Sequence, residues 1–298
     1  MRARSDFRES LRLIFALSAV ATCSAMAAER AVEIQFDAVV GNETFACGHS
    51  YGNIGVTHSA VTPTDLRFFV SAVTLMRTDG TAIHVKLVQD DLWQYEDVAL
   101  LDFEDGSGPC RNGTLAVNRT VRGTVPDGDY QGLTFVLGVP FELNHDDVTI
   151  ARSPLNLTSM FWVWNAGHKF LKLDMATSGQ PDARVEGRRS SEAKTQAVGF
   201  PVHIGSTGCA PGSKTTPPRS CKAPNRATVK IAQFDVERDI VVADVAVLLK
   251  NADVDKNTPD TAPGCMSEPN DPDCAPVFAA LGLASEPQQM FTVRRRAR

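Results

Sequence analysis

The 298-residue chain lacks the motifs of several large protein classes. It has no run of about twenty apolar residues, the length that a helix needs to span a bilayer, so we predict no membrane span. It contains no Gly-x-Ser-x-Gly elbow, no glycine-rich phosphate-binding loop and no His-Glu-x-x-His motif. Without Cys-x-x-Cys-His it cannot attach a c-type haem to itself. Its 30 Lys and Arg are outnumbered by 35 Asp and Glu, and this balance argues against a nucleic-acid partner because phosphates require clustered positive charge.

The first 27 residues have the organisation of a secretory signal peptide. Four arginines give them a basic start: Arg2, Arg4, Arg8 and Arg12. A short apolar run follows over residues 13–21, and Ala25-Met26-Ala27 forms a small-x-small cleavage site. We therefore predict cleavage after Ala27, a mature domain over residues 28–298, and a location in the periplasm or outside the cell. A lipid anchor at Cys23 is an alternative. Thr22 argues against it, because threonine is unfavourable directly before a lipidated cysteine.

Six cysteines remain in the mature chain: Cys47, Cys110, Cys209, Cys221, Cys265 and Cys274. An even number in a secreted chain favours disulfides, although six cysteines allow many connectivities. No pair has the tight spacing of a zinc knuckle. Short loops rich in Pro, Gly and Ser favour Cys209–Cys221 and Cys265–Cys274, which leaves Cys47 and Cys110 to join distant segments.

Most of the mature chain has the pattern of short β-strands separated by turn residues. Ten segments carry this pattern: Val32–Asp37, Leu66–Leu75, Ile83–Val88, Val98–Phe103, Val121–Val125, Leu133–Leu137, Met160–Leu173, Phe200–Ile204, Val229–Val236 and Ile240–Leu249. Glu237-Arg238-Asp239 is predicted to turn a hairpin between the last two, and Pro276–Leu283 is the one predicted helix. We therefore predict an all-β fold, a single sandwich-like domain of short antiparallel strands with long disulfide-stapled loops.

The segment Ser159–His168 contains two of the three tryptophans of the chain. In one extended strand, Met160, Trp162 and Trp164 would project from the same face. Such a face is interpretable as plain core, with methionine filling a gap between aromatic rings. It is also interpretable as part of a metal site completed by His145 or His203, because a thioether and an imidazole suit Cu(I) better than zinc or magnesium.

A second metal motif is weaker. Asp253, Asp255, Asn257 and Asp260 have the oxygen spacing of a calcium-binding loop. Thr258 stands where that loop needs a glycine for its sharp turn, so calcium is a minor alternative at this position.

Motifs along the whole mature chain carry a family resemblance. They are Phe45-x-Cys47-Gly48, Asp65 to Ser71, Val98 to Gly106, Gly138-Val139-Pro140-Phe141-x-Leu143-Asn144-His145, Ser153 to Asn156, Trp162-x-Trp164, His203-x-Gly205-Ser206-Thr207-Gly208-Cys209 and Pro263 to Ser267. With these ordered motifs the chain resembles the MbnP-like copper-binding proteins, the four-Cys half of the metallo-mystery pair.

The resemblance implies a periplasmic all-β protein that binds one copper ion as Cu(I). It implies that the first Trp of Trp-x-Trp, here Trp162, is oxidised to kynurenine by a separate di-haem protein of the MauG/cytochrome c peroxidase class (MbnH-like), with Trp164 beside it. It also implies a Met and a His ligand. Met160 fits the Met by strand geometry, His203 is preferred for the His with His145 as second choice, and His168 is a neighbour that could add a ligand.

The expected function is therefore copper binding in copper homeostasis, and we expect no enzymatic activity because we identify no acid–base pair beside an open metal position. Two alternatives stay open. The chain could be a secreted β-sandwich enzyme, or an adhesive or structural domain in which the Met-Trp-Trp face is plain core.

Overall fold

The computed structural model describes residues 28–179, 199–210 and 218–296. The predicted signal peptide, with its alternative anchor at Cys23, lies outside the described residues. No helix within these three ranges is long and apolar enough to cross a membrane.

The described residues form many strands and few helices. The strands are β1 (Glu29–Val40), β2 (Glu43–Thr44), β3 (Tyr51–Ile54), β4 (Ser59–Arg77), β5 (Ala82–His84), β6 (Lys86–Leu87), β7 (Gln94–Tyr95), β8 (Val98–Asp102), β9 (Thr120–Pro126), β10 (Tyr130–Leu137), β11 (Phe161–Trp162), β12 (Gly167–His168), β13 (Leu171–Thr177), β14 (Val202–Ile204), β15 (Thr207–Cys209), β16 (Cys221–Ala223), β17 (Ala227–Ile231), β18 (Asp239–Asp244) and β19 (Phe291–Arg295). The short helices are α1 (Phe141–Asn144), α2 (Val245–Leu249) and α3 (Ala275–Leu281), and Thr158–Met160 forms a 3₁₀ turn.

Two large sheets contain most of the strands. The first has the order β19-β18-β1-β9-β6, and the second has the order β14-β13-β4-β10-β17 with β3, β5 and β8 also paired to β4. Pairing is antiparallel within both sheets except between β1 and β18, which run parallel. The predicted all-β class is confirmed, with the corrections that one pair is parallel and that β4 is 19 residues long rather than short.

The main core lies between the two sheets. Phe36 of β1 and Phe291 of β19 come from the first sheet, and Phe68 of β4 and Phe135 of β10 from the second. Their rings meet edge to face with centroids 5.3–6.2 Å apart. Edge-to-face contacts of this kind stabilise a core beyond the area that they bury. The two sheets therefore pack as a sandwich.

The second sheet is also covered on its outer face. Because side chains alternate along β4, Leu66 and Phe68 point into the main core while Arg67 and Phe69 point outward. Phe69 belongs to a second buried cluster with Val98, Leu100, Val139, Leu155, Met160 and Phe170. The chain from Val139 to Phe170 thus forms an added layer over this sheet, and that layer carries the two neighbouring tryptophans.

Two predicted strands are wrong in their extent. The segment Met160–Leu173 is not one strand but a 3₁₀ turn, the short hairpin β11–β12 and then β13. The segment Ile240–Leu249 leaves the strand at Asp244, whose carboxylate accepts hydrogen bonds from the N–H groups of Ala246 and Val247 and so caps α2.

The predicted hairpin at 237–239 is also wrong, because its two strands lie in different sheets. β17 pairs with β10 of the second sheet, and β18 pairs with β1 of the first. The residues between them therefore cross from one sheet to the other.

Three disulfides staple the loops. Cys47 is bonded to Cys110, Cys209 to Cys221 and Cys265 to Cys274, the three pairs that the sequence favours. Disulfides persist in oxidising compartments and are rare where thiols are kept reduced. The covalent structure therefore indicates a protein that works outside the cytosol.

Candidate metal centre

The two neighbouring tryptophans lie on a short hairpin, which we call the Trp hairpin (residues 161–168). Trp162 of β11 pairs with Gly167 of β12, and Asn165 in the connecting loop donates its side-chain amide to the Ser206 carbonyl at 2.6 Å. Trp162 is only 6% exposed, whereas Trp164 is 67% exposed. Their ring centroids are 5.4 Å apart. The hairpin therefore holds one indole inside the protein and its neighbour at the surface.

The indole of Trp162 lies against the backbone of Gly205. A Cβ atom at position 205 would be 2.5 Å from Cζ3 of Trp162 and 2.6 Å from the carbonyl oxygen of His168. Glycine is required here because both neighbours are too close for any side chain. The imidazole of His203, two residues earlier, has its centroid 6.5 Å from Trp162.

We expect Gly205→Ala to displace the Trp162 indole and to destabilise the protein by about 1–3 kcal/mol, the usual cost of overpacking a buried site. Tryptophan fluorescence and near-UV circular dichroism would report the displaced ring, and urea unfolding would report the stability. Gly52→Ala is the matched control, because a Cβ atom at position 52 meets nothing within 4 Å. Equal spectra and stability for both variants would contradict the close packing that we describe.

His203 is held by a carboxylate. Its Nε2 lies 2.6 Å from Oδ1 of Asp174, and the other oxygen of Asp174 lies 2.6 Å from Nζ of Lys172. A carboxylate only accepts hydrogen bonds, so Nε2 of His203 carries the proton. Burial lowers the pKa of His203, and Asp174 offsets this only in part. The neutral ring then keeps a lone pair on Nδ1, for which the described residues provide no hydrogen-bond partner.

Five side chains on the outer face of the second sheet bond to one another in a row, which we call the buried charge row: Asp65, Arg67, Lys172, Asp174 and His203. Strand register places Arg67 beside Lys172 and Lys172 beside His203. Asp65 bonds both Arg67 and Lys172. Burial would raise the pKa of Asp174, but the hydrogen bond with His203 and the charge of Lys172 outweigh it and lower that pKa well below its ordinary value. The row therefore fixes the orientation of His203 through a chain of ionised groups.

Met266 lies beside His203 on the neighbouring segment. Val202 and Cys265 form a parallel bridge, in which the His203 N–H donates to the Cys265 carbonyl at 2.8 Å. Both bridged residues are fully buried. His203 lies on the outer face of the second sheet beside Lys172, and Met266 follows directly after the bridged Cys265. Met266 also lines a pocket with Trp164. The bridge therefore brings the backbone of Met266 next to that of His203, and the pocket brings its side chain next to Trp164.

Met160 lies elsewhere, so the predicted strand face shared by Met160 and Trp162 is wrong. Met160 ends the 3₁₀ turn and is fully buried in the second cluster, which does not include Trp162. Its sulfur packs among carbon atoms as an ordinary core methionine does. No signal within Ser159–His168 could have pointed to Met266, because the two segments meet only in the folded protein.

His145 lies near the Trp hairpin, but both of its ring nitrogens have partners. Nδ1 donates to the Ala166 carbonyl at 2.7 Å, and Nε2 accepts from the side-chain amide of Asn144 at 3.1 Å. His145 and the cysteines Cys209 and Cys221 come within ligand distance of one another. These cysteines form a disulfide, so their thiolates are not available to a metal.

His168 faces away from Trp162. It pairs with Phe161 across the hairpin, and its ring packs edge to face on Phe161 and Phe69. Its two ring nitrogens lie 2.8 and 2.9 Å from the carbonyl oxygens of Asn144 and Leu155. His168 therefore anchors the hairpin to the added layer, with both of its ring nitrogens enclosed against backbone carbonyls.

Three of the four residues of the calcium-loop alternative use oxygens within the protein: Asp253 accepts the Asp255 N–H at 3.3 Å, and Asp255 and Asn257 accept further hydrogen bonds. Asp255 accepts hydrogen bonds from Thr57 and Ser59, and Asn257 accepts one from the Gly264 N–H. The second group with ligand spacing, Cys47, Glu104 and Cys110, again contains a disulfide.

Comparison with known proteins shows which family shares this architecture. The family model described as MbnP matches residues 29–267. The solved structure of MbnP from Methylosinus trichosporium is similar to this chain with a TM-score of 0.78 and 31% sequence identity. That similarity covers 91% of this chain and all of the other. The chain belongs to the MbnP family. No curated protein sequence matches it. The span matched by the MbnP model includes the Trp hairpin, His203 and Met266, so every group assembled above lies in the part shared with the family.

Proposed function

We propose that this MbnP-family protein is a periplasmic copper-binding protein that holds one Cu(I) ion in a centre formed by His203, Met266 and an oxidised Trp162. The observations that support it are the parallel bridge that puts the backbones of His203 and Met266 side by side, the 6.5 Å between the rings of His203 and Trp162, and the pocket that Met266 shares with Trp164. The proposal replaces Met160 with Met266 and keeps His203 ahead of His145.

The donors fit Cu(I). A thioether is a soft ligand that favours Cu(I), whereas zinc prefers thiolate, nitrogen and oxygen donors. His203 donates its Nε2–H to Asp174 and offers Nδ1, the arrangement in which a carboxylate orients a metal-binding imidazole. The buried charge row then keeps Asp174 ionised and in place.

Oxidation of Trp162 supplies the third donor. Indole offers only an N–H donor, whereas kynurenine carries an aniline nitrogen and a carbonyl oxygen, both with lone pairs. The chain has no haem-attachment motif, so we assign the oxidation to a di-haem partner of the MauG/cytochrome c peroxidase class (MbnH-like). Hydrogen peroxide would be the oxidant: two equivalents would supply the two oxygen atoms that cleave the C2–C3 bond of the indole and would leave as water, and hydrolysis would then release C2 as formate. The exposed indole of Trp164, 5.4 Å from Trp162, offers a route by which an electron could leave the buried ring.

We assign a binding role in copper homeostasis rather than an enzymatic one. Asp174 is paired with both Lys172 and His203, and Lys169, whose pKa burial lowers to about 8, donates to the Ser159 carbonyl at 2.9 Å, so each of these titratable groups near the centre already has a partner. The alternative of a plain aromatic core fits Met160 but not Trp164, two thirds of whose surface is exposed.

Two matched pairs of variants test the centre. We expect Met266→Leu and His203→Ala to weaken Cu(I) binding by tenfold or more, and Asp174→Asn to weaken it by about 10–100-fold, the usual effect of losing the partner of a metal-binding histidine. Met160→Leu and His145→Ala should retain wild-type affinity. Competition with a chromophoric Cu(I) chelator measures all five. Full affinity in both Met266→Leu and His203→Ala would exclude the centre.

A further inference from the structure

A pocket of about 350 Å³ opens beside the Trp hairpin, and three carboxylates surround it. We call it the acidic pocket and define it by Trp164, Asp260, Met266, Glu268 and Asp271. Its remaining lining residues are uncharged, so no Lys or Arg from the described part of the chain lines it. The volume is in the range of pockets that hold small ligands. The pocket therefore has an aromatic wall and a negative charge that its own lining leaves uncompensated.

Asp271 is the buried member of the three carboxylates. It is 3% exposed, and its Oδ1 accepts the N–H of Asp273 at 3.0 Å. Its Oδ2 is buried and meets no donor at full hydrogen-bond distance. Burial raises the pKa of Asp271, as do the charges of Asp273 and Glu268, and the Asp273 N–H and the Thr261 hydroxyl only partly oppose this. A buried carboxylate oxygen without a full hydrogen bond is costly, and a cation in the pocket would remove that cost.

The tip of the Trp hairpin stands next to this pocket. Val163 is 87% exposed and Trp164 is 67% exposed, so an apolar surface adjoins the three carboxylates. The face of an indole attracts organic cations, and carboxylates pair with guanidinium and ammonium groups. Among the described residues, the three carboxylates are not a group whose oxygens converge to within ligand distance of one another, as a bare metal ion requires. An aromatic wall with separated carboxylates around it is therefore suited to an alkylated cation.

We propose that the acidic pocket binds the guanidinium or ammonium group of a basic side chain that a partner protein presents while it docks on Val163 and Trp164. Charge complementarity identifies the chemistry of this partner: it carries an exposed Arg or Lys beside an apolar patch. The proposal depends neither on copper in the neighbouring centre nor on oxidation of Trp162.

Titration with small cations tests the pocket by nuclear magnetic resonance of the tryptophan indole N–H signals, with a copper chelator present. Ethylguanidinium should shift the Trp164 signal in a saturable way, whereas ethylurea, which has a similar shape and no charge, should leave it unchanged. Equal shifts from both would overturn the proposal, and so would a calcium-induced shift with no response to ethylguanidinium.

Variants locate the cation. Asp271→Asn and Glu268→Gln should each weaken ethylguanidinium binding at least threefold, and the exposed Glu268 keeps the test valid if Asp271→Asn folds poorly. Asp129→Asn removes an equal charge from the exposed turn between β9 and β10 and should change nothing. Equal weakening by all three would show a general charge effect and overturn the site.

Comparing ethylguanidinium with a capped Gly-Arg-Gly tripeptide distinguishes a protein side chain from a small organic cation as the occupant of the pocket. A side chain on a protein must reach the pocket with its backbone attached, so the tripeptide should bind at least as tightly as the free ion. Binding of the free ion alone would overturn the docking proposal and assign the pocket to a small organic cation.

Discussion

Trp162→Phe is expected to abolish both kynurenine formation and copper retention, the largest functional effect that we expect from one substitution. Phenylalanine can occupy the space above Gly205, but it has no ring that opens to an aniline and a carbonyl. The variant should therefore fold and yet lose the third donor. Mass spectrometry of the peptide that contains residue 162 and metal analysis of purified protein, co-expressed with the di-haem partner, measure the two losses.

Trp93→Phe is the control for losing an indole. Trp93 packs at the edge of the second cluster, away from the Trp hairpin, so this variant should keep both the modification and the copper. Wild-type protein expressed without the partner should resemble Trp162→Phe in both measurements. Copper retention by Trp162→Phe at the wild-type level would remove Trp162 from the centre, and kynurenine formed without the partner would remove the need for that protein.

The strand pattern predicted the fold class well because most strands of the sandwich have one buried and one polar face. Arg67 and Phe69 show where this pattern fails. They lie on the outer face of β4 but are buried beneath the added layer, so the sequence from Leu66 to Val70 shows no clean alternation. The apolar run Val245–Leu249 resembles a continuation of the strand, because only Asp244, as the cap of α2, marks the start of a helix there.

Only some residues of the proposed copper centre can be predicted from the sequence, for a related reason. Trp162, Trp164 and His203 stand out as residue types in a sequence, and the structure brings them together. Met266 reaches them through the parallel bridge between Val202 and Cys265, a pairing of segments more than sixty residues apart. Strand periodicity describes neighbours along one segment, so it selects Met160, the methionine nearest in sequence, instead of Met266.

The charges beneath the centre were not predicted at all. Asp65, Arg67 and Lys172 each look like an ordinary surface residue on a strand, because sequence alone does not show which strand face a later layer will cover. In the structure all three are less than 5% exposed. Their ionic contacts are therefore part of the interior of the protein.

Asp65→Ala should consequently destabilise the protein by about 3–5 kcal/mol, the usual effect of removing one partner from a buried ion pair. The substitution leaves two cations, Arg67 and Lys172, buried without the carboxylate that bonds both. Glu33→Ala is the control, since the Glu33–Arg122 pair is about half exposed on both sides (59% and 45%) and should contribute at most about 1 kcal/mol. Urea unfolding of the two variants gives both values. Because Lys172 also bonds Asp174, the loss of Asp65 should disturb His203 as well, so that stability and copper affinity fall together. A destabilisation no larger than that of Glu33→Ala would mean that water reaches the row and that it does not hold His203 in place.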